Sequence, residues 1–158
     1  MAQLFPTTVI GSMPRPPFVI DLFRSGSRIG ENDAAWQRRM DDAVRYCVHL
    51  QEQAGIDIVS DGEWRRETYV DVIAELCNGF QWIERELFGY HQVITEQLTP
   101  RQPGVIAGEA KFLKENTDQR VKVALPSPYL IGQRMWEPGH SESAYPTREA
   151  FCEAVVPV

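Results

Sequence analysis

The stretch Gly55-Ile56-Asp57-Ile58-Val59-Ser60-Asp61-Gly62-Glu63 decides the fold class. Ile56 to Ser60 is a short β-rich run that closes on a polar, glycine-containing turn. Just before it, Trp36, Met40, Ala43, Val44, Cys47, Leu50 and Ala54 recur at three- and four-residue steps, which predicts a helix over 32–54 with one apolar face. Asn32 or Asp33 is placed to cap this helix and Gly55 to end it. A helix joined to a strand by one glycine is an α/β unit.

Upstream, Thr7-Thr8-Val9-Ile10 predicts a first short strand, stopped by Gly11-Ser12-Met13-Pro14-Arg15-Pro16-Pro17. Residues 18–23 then suit a brief helix that ends at Ser25-Gly26-Ser27. Downstream, Val70, Ile73, Ala74 and Cys77 predict a helix over 67–77, ended by Asn78-Gly79. Residues 80–103 follow no single period and read as an irregular insertion or a hairpin. Val105-Ile106-Ala107-Gly108 suggests a third strand, 110–115 a short helix, and Val121-Lys122-Val123-Ala124-Leu125 a fourth strand that stops at Pro126-Ser127-Pro128. Helices over 129–135 and 147–156 complete the pattern, the second capped by Thr147. Alternation of this kind predicts a parallel sheet with crossover helices. With 158 residues the chain suits a single domain over 1–158, but it is too short for a complete (β/α)8 barrel, which needs ~250 residues.

Sixteen Lys plus Arg against 22 Asp plus Glu give a net charge of −6, without the basic cluster on which nucleic-acid binding rests. No apolar run approaches the roughly 18–20 residues of a membrane-spanning helix, and the first residues lack the pattern of a signal peptide. The expectation is a cytoplasmic protein without nucleic-acid or membrane partners. Cys47, Cys77 and Cys152 are odd in number and widely spaced, which fits reduced thiols rather than a disulfide framework. Neither CxxC, HxC nor HExxH occurs, so no compact metal signature is present.

The predicted strands end at Gly11-Ser12, Asp61-Gly62-Glu63, Gly108-Glu109 and Pro126-Ser127. In parallel α/β folds the ligand site lies beyond the carboxyl ends of the strands, so these segments are the site candidates. Glu63, directly after a strand, can pair with a substrate amine or move a proton; equally, it can bridge to Arg65 or Arg66, or cap the next helix. Ser12 offers a hydroxyl and backbone N–H groups to a ligand carboxylate, with Gly11 permitting close approach, or forms an ordinary turn. Trp64, Trp82 and Trp136 suit packing more than stacking on a ligand, and three scattered histidines, His49, His91 and His140, do not compose a metal site.

As a set, the strand-end segments resemble the cobalamin-independent methionine synthase family. Thr7 to Pro16 (TT-x-x-GS-x-P-R-P) and Gly55 to Arg66 (DGE-x-x-R) are similar to that family's first two barrel strands and loops, and Val121 to Pro128 looks like its fourth. The DGE form is closer to the shorter, single-barrel branch. The resemblance implies a (β/α)8 TIM-barrel fold of which this chain holds about the first four β/α units. It also implies zinc-assisted methyl transfer from a reduced folate to homocysteine, in which the metal binds the substrate thiol and lowers its pKa. By similarity, Ile10, Gly11 and Ser12 would hold the amino-acid part of homocysteine and Glu63 its ammonium group, while Arg15 and Arg66 match the motifs without an assigned role. The family's zinc ligands, a His-x-Cys pair, a Glu and a further Cys, belong to later strands, and none of the three cysteines here matches them. No catalytic residue and no metal ligand is therefore expected within the chain. A half-barrel would leave an open sheet edge that favours homo-oligomers or pairing with another chain. Two other readings stay open: a different thiol alkyl transfer, such as epoxide addition to a coenzyme thiol, and a non-catalytic truncated half-barrel.

Overall fold

The computed structural model describes residues 5–24, 34–85 and 89–158. The expected helix cap at Asn32 or Asp33 and the stop at Ser25-Gly26-Ser27 lie outside the described residues. The contacts gather into two compact units, one formed by 1–67 with 104–124 and the other by 68–103 with 125–158.

The first unit contains the parallel strands. Helices α1 (Pro17–Arg24) and α2 (Ala34–Gln53) precede β1 (Ile58–Val59), and α4 (Val105–Glu115) precedes β4 (Arg120–Val121). Strand β4 pairs with β1 in parallel, Ile58 opposite Arg120 and Val59 opposite Val121. On the other side of β1, Thr8 forms a parallel bridge to Ile58. This seam is held by Ile58 N–H donating to Thr7 O at 3.1 Å and Thr8 Oγ1 donating to Ile58 O at 2.9 Å. The apolar stripe of α2 lies against this sheet: Met40, Val44, Cys47 and Val48 share one core with Val59, Trp64 and Leu113, and Val121 and Val123 pack on it.

In the second unit, α3 (Val72–Leu76) runs straight into an antiparallel hairpin of β2 (Cys77–Arg85) and β3 (Gly89–Pro100). Helices α5 (Pro128–Met135) and α6 (Arg148–Val155) follow. Both carry the caps their sequences call for, as Ser127 Oγ accepts from Leu130 N–H at 3.2 Å and Thr147 Oγ1 from Ala150 N–H at 3.1 Å. A separate core of Ile73, Cys77, Ile94, Ile131, Met135, Tyr145 and Phe151 fills this unit.

Several expectations are corrected. Val105 to Gly108 is the first turn of α4 and not a strand, with Gly108 N–H donating to Gly104 O at 2.8 Å. A four-residue apolar run has no period that separates helix from strand, and Gly104, at φ 85°, opens a helix there. Of the two readings left open for residues 80–103, the hairpin holds, since β2 and β3 pair antiparallel, with a register shift between Asn78 and Phe80, and the irregular insertion does not. The helix expected over 67–77 shrinks to five residues because Cys77 to Arg85 pair with β3. Of the strand expected over 121–125 only Val121 is strand, lying with Arg120 beside β1 and followed by one bond from Lys122 N–H to Val59 O at 3.0 Å. The strand expected over 7–10 is reduced to the Thr8 bridge, so the described residues hold three short parallel segments where about four β/α units were expected.

Candidate functional site

The carboxyl ends of the first two parallel segments bring Ser12 and Glu63 together. Ser12 Oγ donates to Glu63 Oε2 at 2.5 Å, linking residues 51 apart in sequence. Glu63 is buried, with 6% of its surface exposed, and its φ of 59° makes it the only non-glycine with a positive φ among the described residues. Backbone strain of this kind costs about 1–3 kcal/mol and persists only where the surroundings impose it.

Those surroundings can be named. Gln51, from the buried face of α2, clamps the end of β1: its Oε1 accepts from Ser60 N–H at 3.0 Å and its Nε2 donates to Ser60 O at 2.7 Å. Asp61 Oδ1 accepts from Glu63 N–H at 2.9 Å, closing a local turn. Gly62 (φ 67°) has no room for a side chain, since a Cβ would lie 2.6 Å from Cys47 Sγ and 3.2 Å from Met13 Cβ. Met13 N–H donates to Gly62 O at 3.1 Å, joining the two strand-end loops. Arg15 then spans the turn after Glu63, donating to Glu63 O at 3.0 Å, to Glu67 O at 3.4 Å and also to Arg66 O. Lys122 donates to Val9 O, just before Ile10.

The ion-pair alternative for Glu63 does not hold. Arg65 pairs with Asp41 at 2.7 Å and lies over the Phe112 ring, while Arg66, 1% exposed, pairs with Glu109 at 3.0 Å and donates to Ala124 O at 2.5 Å. Burial raises the Glu109 carboxyl above its ordinary value against the pull of Arg66, with the Asp61 charge adding to the rise. The Glu63 carboxylate thus has a hydroxyl rather than a cation as its recorded partner. Ile10 is 91% exposed and Gly11, at φ 76°, has nothing within 4 Å of a built Cβ, so this loop leaves its backbone open to a ligand.

Other candidates separate from this cluster. Trp64 is buried and donates to Met13 O at 3.2 Å, Trp136 donates to Tyr145 O at 2.9 Å, and Trp82 is half exposed on β2. His91 meets Glu137 at 2.9 Å, and His49 and His140 are exposed. Each unit has a cavity of its own. One of about 270 Å³ is lined by Trp36, Asp41, Arg65, Glu109 and Phe112, and one of about 480 Å³ by Tyr69, Asp71, His91, Gln92 and Arg134.

Comparison with known proteins gives the family. The sequence model described as the catalytic domain of cobalamin-independent synthase matches residues 5–133. The chain belongs to that family. It is 33% identical over 139 residues to a methionine synthase of Sulfolobus acidocaldarius and 40% identical over 141 residues to one of Sulfurisphaera tokodaii, covering 82% of this chain and 40% of each relative. A 5-methyltetrahydropteroyltriglutamate–homocysteine methyltransferase of Thermosynechococcus vestitus is 29% identical over 133 residues, 80% of this chain and 17% of that protein. Among solved structures, the B12-independent methionine synthase of Shewanella sp. W3-18-1 in complex with selenomethionine superposes with a TM-score of 0.72 at 25% identity, over 97% of this chain and 45% of that one. The chain thus spans about 40% of the length of the curated methionine synthases first matched.

The zinc that family resemblance implies does not fit the described residues. No group of three His, Cys, Asp or Glu side chains among them is placed to hold a metal ion. Burial, reinforced by the Asp61 charge, pushes the Cys47 thiol up to about 12 against the hydrogen bond from Gln51, the opposite of what a thiolate ligand needs. Cys77 and Cys152 are also pushed up by burial.

The supporting roles of Gln51, Lys122 and Arg15 escaped the sequence reading, and Asp61 stood in it only as part of a candidate strand-end segment. Gln51 left a trace, as a polar residue four positions after Cys47 on the apolar stripe of α2. The bonds of Arg15 and Lys122 run 48 to 113 residues through the chain and follow no local pattern.

Proposed function

We propose that this chain supplies the amino-acid-binding side of a homocysteine methyl-transfer site, with a reduced folate as the methyl donor. The observation that carries the reading is the Ser12–Glu63 contact at 2.5 Å, formed at the ends of neighbouring parallel segments around a buried carboxylate with no recorded cation partner. An incoming ammonium group supplies the missing positive charge, and a charge-assisted hydrogen bond to Glu63 is worth about 1.5–3 kcal/mol. The open loop of Ile10, Gly11 and Ser12 offers backbone N–H groups to the α-carboxylate. Family membership and the names of the relatives support homocysteine as acceptor and the folate as donor.

This chain's residues bind and orient. Glu63 holds the ammonium, Ser12 holds Glu63, and Gln51, Asp61 and Arg15 fix the strained turn that presents it. No step is assigned to zinc. The exposed Ile10 and the edges of a three-segment parallel sheet also favour association with a second copy of the chain or another polypeptide.

The test is calorimetric titration of the chain with homocysteine and with 4-mercaptobutyrate, which lacks the amine. Glu63→Gln is expected to weaken homocysteine about 10- to 100-fold while leaving 4-mercaptobutyrate unchanged. Equal homocysteine affinity in the variant would remove Glu63 from the site and favour a thiol substrate without an amine.

A further inference from the structure

The amino-acid reading leaves the negative end of the substrate without a countercharge, and one cation of the first unit is placed to serve. Lys122 follows β4 and is tied into the sheet by its own N–H, which donates to Val59 O at 3.0 Å. Its neighbours Val121 and Val123 pack on the core shared with α2. Side chains alternate across a strand, so Lys122 lies on the opposite face of the sheet, the face away from the helices. From there its ammonium group reaches past β1 to the Val9 carbonyl, whose chain continues directly into Ile10, Gly11 and Ser12.

The local charges make the lysine unusual. Arg65 is neutralised by Asp41, Arg66 by Glu109, and Arg15 is spread over three carbonyls behind Glu63. Lys122 is half-buried, and its recorded side-chain partner is a neutral carbonyl, so its full charge is left beside the open loop. An ammonium group has three donors, and a carbonyl takes one of them. An amino acid whose ammonium lies on Glu63 and whose carboxylate lies on the Gly11–Ser12 backbone has its charges ordered to match Glu63 and Lys122.

We propose that Lys122 selects the α-carboxylate of the substrate, as the cationic counterpart of Glu63. The proposal rests on the amino-acid reading given above and adds a specificity-determining residue to it. Lys122 both braces the first strand end and supplies the positive field into which the carboxylate settles.

Three ligands separate these roles: homocysteine, 3-mercaptopropylamine (no carboxylate) and 4-mercaptobutyrate (no amine). They are titrated calorimetrically into the unaltered chain, Lys122→Met, Lys122→Arg and Glu63→Gln, each checked for folding by circular dichroism. Lys122→Met is expected to weaken homocysteine and 4-mercaptobutyrate about 10-fold or more and leave 3-mercaptopropylamine within about twofold. Lys122→Arg, which keeps the charge, is expected to recover most of that loss, and Glu63→Gln to weaken only the two ligands that carry an amine. Equal weakening of all three ligands by Lys122→Met would reduce the lysine to a brace and overturn the proposal. Unchanged homocysteine affinity in that variant would overturn it as well. Failure of homocysteine to bind the unaltered chain would overturn the amino-acid reading itself, a result distinct from either.

Discussion

Glu63 sits on a left-handed backbone that an ordinary L-residue avoids by about 1–2 kcal/mol, and it is held there by hydrogen bonds to Ser12, Asp61 and Arg15. Its sequence position after a strand was visible, but its partner was not: the nearby Arg65 and Arg66 were the natural candidates, and each is taken by a carboxylate elsewhere in the chain. Arg66 and Glu109 form the most buried of these pairs. Because the folded-state pKa of Glu109 is raised above its ordinary 4.5, the native protein holds that proton to higher pH than the unfolded chain does. Between the two values the folded state binds more protons, so stability falls as pH rises through that window. Glu109→Gln is expected to flatten this part of the pH–stability curve in urea unfolding; an unchanged slope would show that the carboxyl titrates normally. Glu109→Ala leaves the Arg66 guanidinium buried without its countercharge and is expected to cost about 3–5 kcal/mol.

Among the elements, long and strongly periodic segments followed their sequences and short apolar ones did not. Helix α2 covers 34–53, within the span its apolar stripe predicts, whereas Val105 to Gly108 turned from strand to helix and Cys77 from helix to strand. A five-residue helix gains little by itself, and the hydrogen bonds of a nine-residue strand outweigh it. The pairing of α5 with α6 likewise depends on one position without a side chain. A Cβ on Gly132 would collide with Cys152 Sγ and come within 3.2 Å of Arg148 Cγ. Gly132→Ala is expected to destabilise the protein by about 1–3 kcal/mol through overpacking. Adding Cys152→Ala should return much of that loss, as thermal or urea denaturation of the double variant would show. If the double variant is no better than the single one, the contact is not what limits the packing of these helices.

At the scale of the whole molecule, two units each enclose a core, and the motif-bearing segments 7–16 and 55–66 both fall in the first. Its thiol, Cys47, is locked beneath Gly62, and the other two cysteines belong to the second unit. Equilibrium dialysis against zinc is therefore expected to leave less than one tightly bound ion per chain. One retained equivalent, lost on substitution of Cys47, would overturn this account of the thiol.

The sequence by itself determined the family, the parallel α/β character and the two loops that meet, because these depend on local signals: glycines where the chain turns, β-branched runs, and the apolar stripe of α2. Only the tertiary structure decided that Glu63 bonds Ser12 rather than an arginine, that Arg120 and Val121 pair with β1, and that Lys122 reaches Val9 across the sheet. The physical reason is range. Each of those contacts joins residues about 50 to more than 100 positions apart, and which of several available partners a buried charge takes is settled by the packing of the whole unit.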